Sequence, residues 1–233
     1  MQLQIKFGSK CIEFTVYYRE RKTLGIKVLP DSRVEVLAPL TAEQEQIKAK
    51  VRLKAPWILK QIDYFNTYKT STPPRRFISG ETHLYLGRQY RLKIVHDKED
   101  LVKAYRGQLL MHSPDPKPEK LKLLLGQWYK KRAFIVFNEL LQEVLPKFIR
   151  YGIPEPILTI RSMSQRWGSC TKDGKIILNT ELAKAPKGCI EYVIIHELCH
   201  LVYHNHTRAF QDLQSKMLPD WRKWKDRLEG NLA

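Results

Sequence analysis

The segment that most constrains the fold is an apolar run followed at once by two histidines. Tyr192-Val193-Ile194-Ile195 leads directly into His196-Glu197-Leu198-Cys199-His200. Histidines four residues apart project from one face of a helix on successive turns, so both can reach a single ion. Because the preceding run is apolar, the segment predicts a well-buried helix that carries a metal site.

The residue between the two histidines indicates what the metal would do. Glu197 lies beside the metal-binding face, where it can hold a water without binding the metal itself. Neutral imidazoles suit zinc, and a site with three protein ligands leaves a position open for water. The ion would lower the pKa of that water and polarise a scissile carbonyl, while Glu197 takes the proton and later delivers it to the leaving amine. The motif predicts a metallopeptidase with one zinc ion per chain and a peptide or protein substrate.

A third ligand has to come from beyond this helix. Along an unbroken helix His204 would sit ~12 Å from His196, at ~1.5 Å rise per residue, which is too far to share an ion. The helix is therefore predicted to end and the chain to fold back, with Asn205 in the left-handed conformation that helix stops often use. His206, past this break, is the predicted third ligand. His204 is the alternative ligand, or a hydrogen-bonding residue at the helix end.

Other residues near the motif allow two interpretations each. Arg166 is a candidate for stabilising the oxyanion of the tetrahedral transition state, whereas Trp167 either lines the cleft or packs under the helix. Tyr192 and Tyr203 are further oxyanion candidates, but core packing is the favoured role for both. Residues 174–179 form either the edge strand on which an extended peptide lies or an ordinary hairpin.

The four cysteines are predicted to be reduced thiols. They form no Cys-x-x-Cys pair and are too sparse for a disulfide framework. Cys170 and Cys199 lie near the motif and are candidate ligands, although a small buried apolar role is favoured for each. The N-terminus lacks the apolar core of a secretory signal, and no apolar stretch approaches membrane-spanning length. A cytoplasmic protein without a membrane segment is therefore expected.

The N-terminal part of the chain predicts strands and then a helix. The first forty residues alternate with period two and predict a small antiparallel meander. Residues 41–65 begin with a capping box and continue with helical spacing, and Pro56 is expected to kink or restart that helix. Residues 71–76 have the composition of a linker. A hairpin is predicted around the turn at Gly87-Arg88.

A second breaker cluster, residues 113–118, suggests the domain boundary. The predicted fold class is α+β, with an antiparallel β-rich region and its helix in residues 1–115. Residues 116–233 then form the metallopeptidase domain, which opens with a long amphipathic helix. A small sheet and the helix of the histidine motif follow. No internal repeat is evident.

The surface charge favours a second function. The formal net charge is +17, spread evenly along the chain, and such an excess either attracts polyanions or forms a well-solvated surface. In Trp221-Arg222-Lys223-Trp224-Lys225 basic and aromatic residues interleave, which suits nucleic-acid binding or, alternatively, a tryptophan pair that packs on the core with its lysines in solvent. The alternative function is therefore a basic nucleic-acid-associated protein whose zinc site is structural or latent. Glu197 favours catalysis, because a structural zinc site needs no adjacent base.

Several motifs together resemble the YgjP-like metallopeptidase family, which is related to the SprT-like and WLM peptidases. In the second half the resemblance rests on five segments: Arg166-Trp167-Gly168-Ser169-Cys170, Gly174-x-Ile176-x-Leu178-Asn179, Tyr192-Val193-Ile194, His196-Glu197-Leu198-Cys199-His200-Leu201 and Asn205-His206-Thr207-x-x-Phe210. In the first half it rests on Arg21-Lys22-Thr23-Leu24, Pro30-Asp31, Ala38-Pro39 and Tyr85-Leu86-Gly87-Arg88. The resemblance implies a gluzincin-like zinc peptidase domain with ligands His196, His200 and His206 and with Glu197 as catalytic base. Thr207 stands where many relatives carry Ser, and either hydroxyl can cap the next helix.

Overall fold

The computed structural model describes residues 1–29, 31–67, 75–164, 166–171 and 173–232. The chain forms two compact units, Met1–Thr72 and Pro73–Leu232. Each unit has a hydrophobic core of its own. Most of the predicted linker at 71–76 lies outside the described residues, although the division between the units falls within it.

The N-terminal unit is a four-stranded sheet covered by one helix. Its elements are β1 (Gln2–Phe7), β2 (Lys10–Arg19), β3 (Gly25–Val28), β4 (Val34–Pro39) and α1 (Gln44–Thr67). The predicted period-two alternation is confirmed, since β2 and β4 bury every second residue, and α1 buries its own apolar stripe in the same core. The helix runs through exposed Pro56 without restarting.

The strand order of this sheet differs from the predicted meander. The order is β1-β2-β4-β3, in which β2 and β4 pair in parallel and only the two outer pairs are antiparallel. Alternation identifies the buried face of a strand but not its neighbours. In its central position β4 buries Val34, Val36 and Ala38, all at most 3% exposed, whereas every residue of the outer strand β3 is only partly buried.

The C-terminal unit begins with the same topology. The strands β5 (Thr82–Tyr85), β6 (Arg88–His96), β7 (Leu101–Tyr105) and β8 (Gln108–Ser113) pair in the order β5-β6-β8-β7, again with a parallel central pair. The helix α2 (Pro118–Val144) follows, as α1 follows β4. The structure thus contains a ββββα repeat that the sequence does not reveal.

The observed division of the chain, between Thr72 and Pro73, differs from the predicted one between 1–115 and 116–233. Leu92, Leu109 and Met111 of the sheet are buried in one core with Leu121 and Leu125 of α2. Separating β8 from α2 would expose these side chains to water, so the breakers at 113–118 mark only a short connection inside one unit.

The rest of this unit builds the region around the histidine motif. It contains the strands β9 (Ile157–Arg161), β10 (Gly168–Cys170) and β11 (Lys175–Asn179), and then α3 (Lys187–Val202), α4 (Arg208–Met217) and α5 (Trp221–Leu232). Short 3₁₀ helices at Leu145–Tyr151 and Thr180–Lys184 connect these elements. The strand order is β10-β11-β9, and α3 is buried along most of its length, as predicted. No helix in the described ranges is both long and apolar enough to cross a bilayer.

Candidate metal centre

The helix α3 ends before His206, as the prediction of His206 as third ligand requires. It stops at Val202, and the extended Tyr203 donates its backbone N–H to the Cys199 carbonyl at 2.8 Å. The predicted left-handed Asn205 is wrong, because Asn205 is not among the described residues with positive φ. The chain turns instead with Thr207 donating its N–H to the Asn205 carbonyl at 2.7 Å.

The turn brings three imidazole rings together. Ligand nitrogens of His196, His200 and His206 all lie within 4.8 Å of one another. The Nε2 atoms of His196 and His206 are 3.1 Å apart. His204 lines the same cleft but is outside this cluster among the described residues.

Two of the rings are held through their Nδ1 atoms. His196 Nδ1 lies 2.9 Å from Oε1 of Gln214, and His200 Nδ1 lies 3.3 Å from the Tyr203 carbonyl. Both partners are acceptors, so each Nδ1 carries the hydrogen and each Nε2 keeps its lone pair. Two nitrogens bound tetrahedrally to one ion at ~2.0–2.1 Å are roughly 3.3 Å apart, close to the 3.1 Å between His196 and His206. The three residues therefore fit a divalent metal ion.

Residues of the helix α4 contact the three histidine rings. Thr207 caps it, with Oγ1 accepting from the Phe210 N–H at 3.4 Å. Phe210 is 2% exposed, and its ring centroid lies 5.1, 4.7 and 4.8 Å from those of His196, His200 and His206. Sequence reasoning assigned no role to Phe210 or Gln214. Their i, i+4 spacing puts them on one helix face, but nothing in the sequence shows that this face meets α3.

Burial lowers the pKa of two of the imidazoles. The pKa of His196 falls to about 4, chiefly because burial disfavours the charged ring and also because His200 and His206 stand beside it, although the hydrogen bond to Gln214 opposes this. Burial, followed by His206, also lowers the pKa of His200. At neutral pH His196 and His200 therefore offer lone pairs rather than protons, as metal binding requires.

Glu197 is a buried carboxyl beside the cluster. It is 5% exposed, and burial raises its pKa to about 7, while Arg166 acts in the opposite direction. A β-carbon placed on Gly168 would lie 2.6 Å from its Oε1 atom, so only glycine leaves this carboxylate its present position. A carboxyl whose pKa is near neutrality can both accept and return a proton.

The aromatic and basic residues with two interpretations each have different environments in the structure. Arg166 lines a cleft of about 410 Å³ together with Glu197 and the histidines. Trp167 instead packs against the core. Tyr192 is 8% exposed and stacks on Trp221 at a centroid distance of 6.2 Å, which confirms its packing role. Core packing is wrong for Tyr203, which is 38% exposed.

The cysteines do not join the cluster of ligand nitrogens. Cys199 is fully buried, and burial raises the pKa of its thiol to about 12, which is typical of an inert apolar side chain. Cys170 lines the cleft, where burial, aided by Glu197, raises the pKa of its thiol to about 11. All four cysteines are unpaired, as predicted.

The strand at 174–179 is not an edge strand. It corresponds to β11, which pairs in parallel with β9 and in antiparallel fashion with β10. Its backbone groups are therefore used on both sides. The outer strand beside the cleft is β10, since Gly168, Ser169 and Cys170 line the cleft.

The interleaved tryptophans of α5 are packing residues. Trp221 and Trp224 lie against the core of the C-terminal unit, and a β-carbon on Gly188 of α3 would lie 2.5 Å from the Trp224 ring. Their faces are therefore not free to stack on nucleic-acid bases. The guanidinium carbon of Arg222 lies 5.0 Å from the centroid of the Trp221 ring.

Two solved structures resemble part of the chain. The zymogen of the metallopeptidase abylysin from Pyrococcus abyssi is 22% identical over 41% of this chain and 94% of its own, with a TM-score of 0.37. The zymogen of jannalysin from Methanocaldococcus jannaschii is 21% identical over 42% of this chain and 97% of its own, with a TM-score of 0.36. No curated protein sequence matches the chain.

A family model gives the more extensive match. The model of the YgjP-like metallopeptidase domain aligns with residues 22–231, which is nearly the whole chain and extends over parts of both compact units. The aligned region also contains every residue of the three-histidine cluster and the buried carboxyl. The chain belongs to the YgjP-like metallopeptidase family.

Proposed function

We propose that this metallopeptidase is zinc-dependent, with His196, His200 and His206 as ligands and Glu197 as general base. The observation that carries the proposal is the approach of three imidazole nitrogens within 4.8 Å of one another, next to a carboxyl that is only 5% exposed. Three neutral nitrogen ligands are the donor set of an open catalytic zinc site. A structural site would close its fourth position with another Cys or His, and the thiols of Cys170 and Cys199 lie outside the cluster.

The side chains divide the chemistry between them. When bound, zinc would acidify the attacking water and polarise the scissile carbonyl. Glu197 takes the proton of that water at its carboxylate oxygen and passes it to the amine that leaves. The pKa of about 7 places the carboxyl where both transfers are accessible at neutral pH. Arg166, which also lines the cleft, supplies positive charge toward the oxygen that becomes negative in the transition state.

The substrate is proposed to be a peptide segment in extended conformation. The cleft is lined by the residues of β10, which pairs with β11 on one side and is the outer strand of its sheet. A peptide can add to such an outer strand through its own backbone N–H and C=O groups. The peptide is thus proposed to lie on β10 and not on residues 174–179, for which an edge strand was one of two interpretations. This binding mode selects for an unfolded or flexible segment rather than for one side chain.

The test combines metal content with proteolysis. Purified wild type, Glu197→Gln, His206→Ala and His204→Ala are assayed for bound zinc by mass spectrometry and for cleavage of casein. Wild type and His204→Ala are expected to hold about one zinc and cleave. Glu197→Gln is expected to keep the metal but lose cleavage by several orders of magnitude, whereas His206→Ala is expected to lose the metal.

The His204→Ala variant is the matched control, because it removes an imidazole from the same cleft without removing one from the cluster. A wild-type protein without stoichiometric metal would sink the proposal outright. Zinc bound without any Glu197-dependent cleavage would leave a structural or latent site instead.

Nucleic-acid association through the basic surface stays a separate prediction. The net charge of +17 supports it, but the packing of Trp221 and Trp224 on the core reduces the aromatic surface available to bases. Binding through phosphates alone would weaken steeply with salt and show no dependence on base sequence. A titration of labelled DNA at 50 and 200 mM salt measures this directly.

A further inference from the structure

We propose that Gln214 is a positioning residue that holds His196 in the one tautomer able to bind the metal. The proposal rests on the proposed metal site and names a residue outside its ligands and base. Gln214 lies on α4, eighteen residues from His196 along the chain.

The geometry singles Gln214 out among the polar residues of α4. Its side chain is 2% exposed, although glutamine is ordinarily a surface residue. Its Oε1 atom accepts a hydrogen bond from His196 Nδ1 at 2.9 Å. Gln211, one turn earlier on the same helix, is exposed. A buried amide is costly unless it is hydrogen-bonded, so the bond to His196 accounts for a glutamine at this position.

The hydrogen bond decides which nitrogen of His196 is free. A neutral imidazole carries one hydrogen, on Nδ1 or on Nε2. With an acceptor at Nδ1, the hydrogen stays there and the Nε2 lone pair faces His206 Nε2 at 3.1 Å. Without the acceptor the hydrogen can move to Nε2, where it blocks metal binding.

The apolar ring that packs on His196 cannot make this choice. Phe210 contacts His196 at a centroid distance of 5.1 Å and is buried, so it limits where the ring can lie. An apolar ring neither accepts nor donates a strong hydrogen bond and leaves the two tautomers equivalent. The position of the ring therefore depends on Phe210, and its tautomer depends on Gln214.

The experiment uses Gln214→Met, Gln214→Asn, Gln214→Glu and the control Gln211→Met in the full-length protein. Methionine keeps the length of the side chain without the amide acceptor, and asparagine keeps the amide but withdraws it by one methylene. Zinc affinity is measured at fixed pH by competition with a chelator. The His196 tautomer is read in the metal-free protein from its ¹⁵N chemical shifts.

Gln214→Met and Gln214→Asn are expected to bind zinc roughly 10–100-fold more weakly than wild type, the usual cost of losing such a supporting group. Their His196 should shift toward the Nε2–H form. Gln214→Glu, which keeps an acceptor, and Gln211→Met are expected to stay within a few fold of wild type. If Gln214→Met does not fold, the contrast between the asparagine and glutamate variants decides.

Wild-type zinc affinity in both Gln214→Met and Gln214→Asn would overturn the proposal. So would an unchanged Nδ1–H tautomer in those variants. The metal-free tautomer also separates this proposal from the proposed function. A wild-type protein that binds no zinc refutes the metal site, while the tautomer shift still tests what Gln214 does to His196.

Discussion

Replacing Gly168 with alanine would test whether the position of the Glu197 carboxylate limits catalysis. Gly168 begins β10 and lies against Glu197 across the cleft wall. Its φ is outside the left-handed region, so alanine can adopt the same backbone conformation. The effect of the change must therefore come from the added methyl group.

The size of the effect follows from the contacts of that methyl group. The new β-carbon would lie 2.6 Å from Glu197 Oε1 and 2.9 Å from its Cγ atom, whereas ordinary contact begins near 3.4 Å. The carboxylate would have to move by about 0.8 Å. A displacement of about 1 Å in a catalytic group can cost ~100-fold in rate. We therefore expect kcat/KM to fall roughly 10–100-fold, which is about 1.4–2.7 kcal/mol of transition-state stabilisation.

The assay measures cleavage of casein or a fluorogenic peptide together with zinc content. Gly126→Ala on α2 is the matched control, because a β-carbon there meets nothing within 4 Å. That variant should cleave at the wild-type rate, and helix propensity should make it more stable by about 1 kcal/mol. Zinc content should be unchanged in both variants, since Glu197 is not a proposed ligand.

Full activity in a zinc-loaded Gly168→Ala protein would refute this reasoning. It would mean that the Glu197 carboxylate can move without lowering the rate of cleavage, or that another group takes the proton from the attacking water. Loss of zinc would refute it in a different way, by linking β10 to the ligands rather than to the base. A thermal melt of each variant excludes general unfolding as the cause.

Three further predictions concern the supporting structure. Gly188→Ala places a β-carbon 2.5 Å from the Trp224 ring, so overpacking of about 1–3 kcal/mol should outweigh the helix-propensity gain of about 1 kcal/mol and lower the urea midpoint. Asn179→Asp replaces the Nδ2 donor that holds the carbonyls of Met163 and Arg166 at 2.7 and 3.0 Å, which should cost about 1–3 kcal/mol in a denaturant titration and slow cleavage. Burial, followed by Arg75, lowers the pKa of His83 below 6.5, so the unfolded chain binds a proton there more readily than the folded one does. Its contribution to stability is complete above pH 6.5 and is lost as the pH falls through the folded pKa. In the metal-free protein, His83→Gln should therefore make the midpoint of urea unfolding depend less on pH between pH 7 and 5.

The sequence predicted which histidines come together better than it predicted the sheets around them. His196 and His200 follow from local helix geometry, and His206 follows from a helix that had to end. Strand partners depend on long-range pairing, which alternation does not encode, so the parallel pairing of β2 with β4 was missed. Gln214 was missed for a related reason. A glutamine in an amphipathic helix is normally exposed, and only the packing of α4 on α3 buries it.

The repeated ββββα topology bears on which part of the chain the peptidase site needs. The first copy, β1 to α1, and the second, β5 to α2, have the same strand order and the same parallel central pair. Only the second copy shares its core with α3, whose residues His196, Glu197 and His200 face the cleft. Every described residue that lines this cleft falls between Arg166 and His206, inside the C-terminal unit. The supporting contacts of Phe210 and Gln214 belong to this same unit, so the C-terminal unit supplies both the three-histidine cluster and the side chains that position its rings.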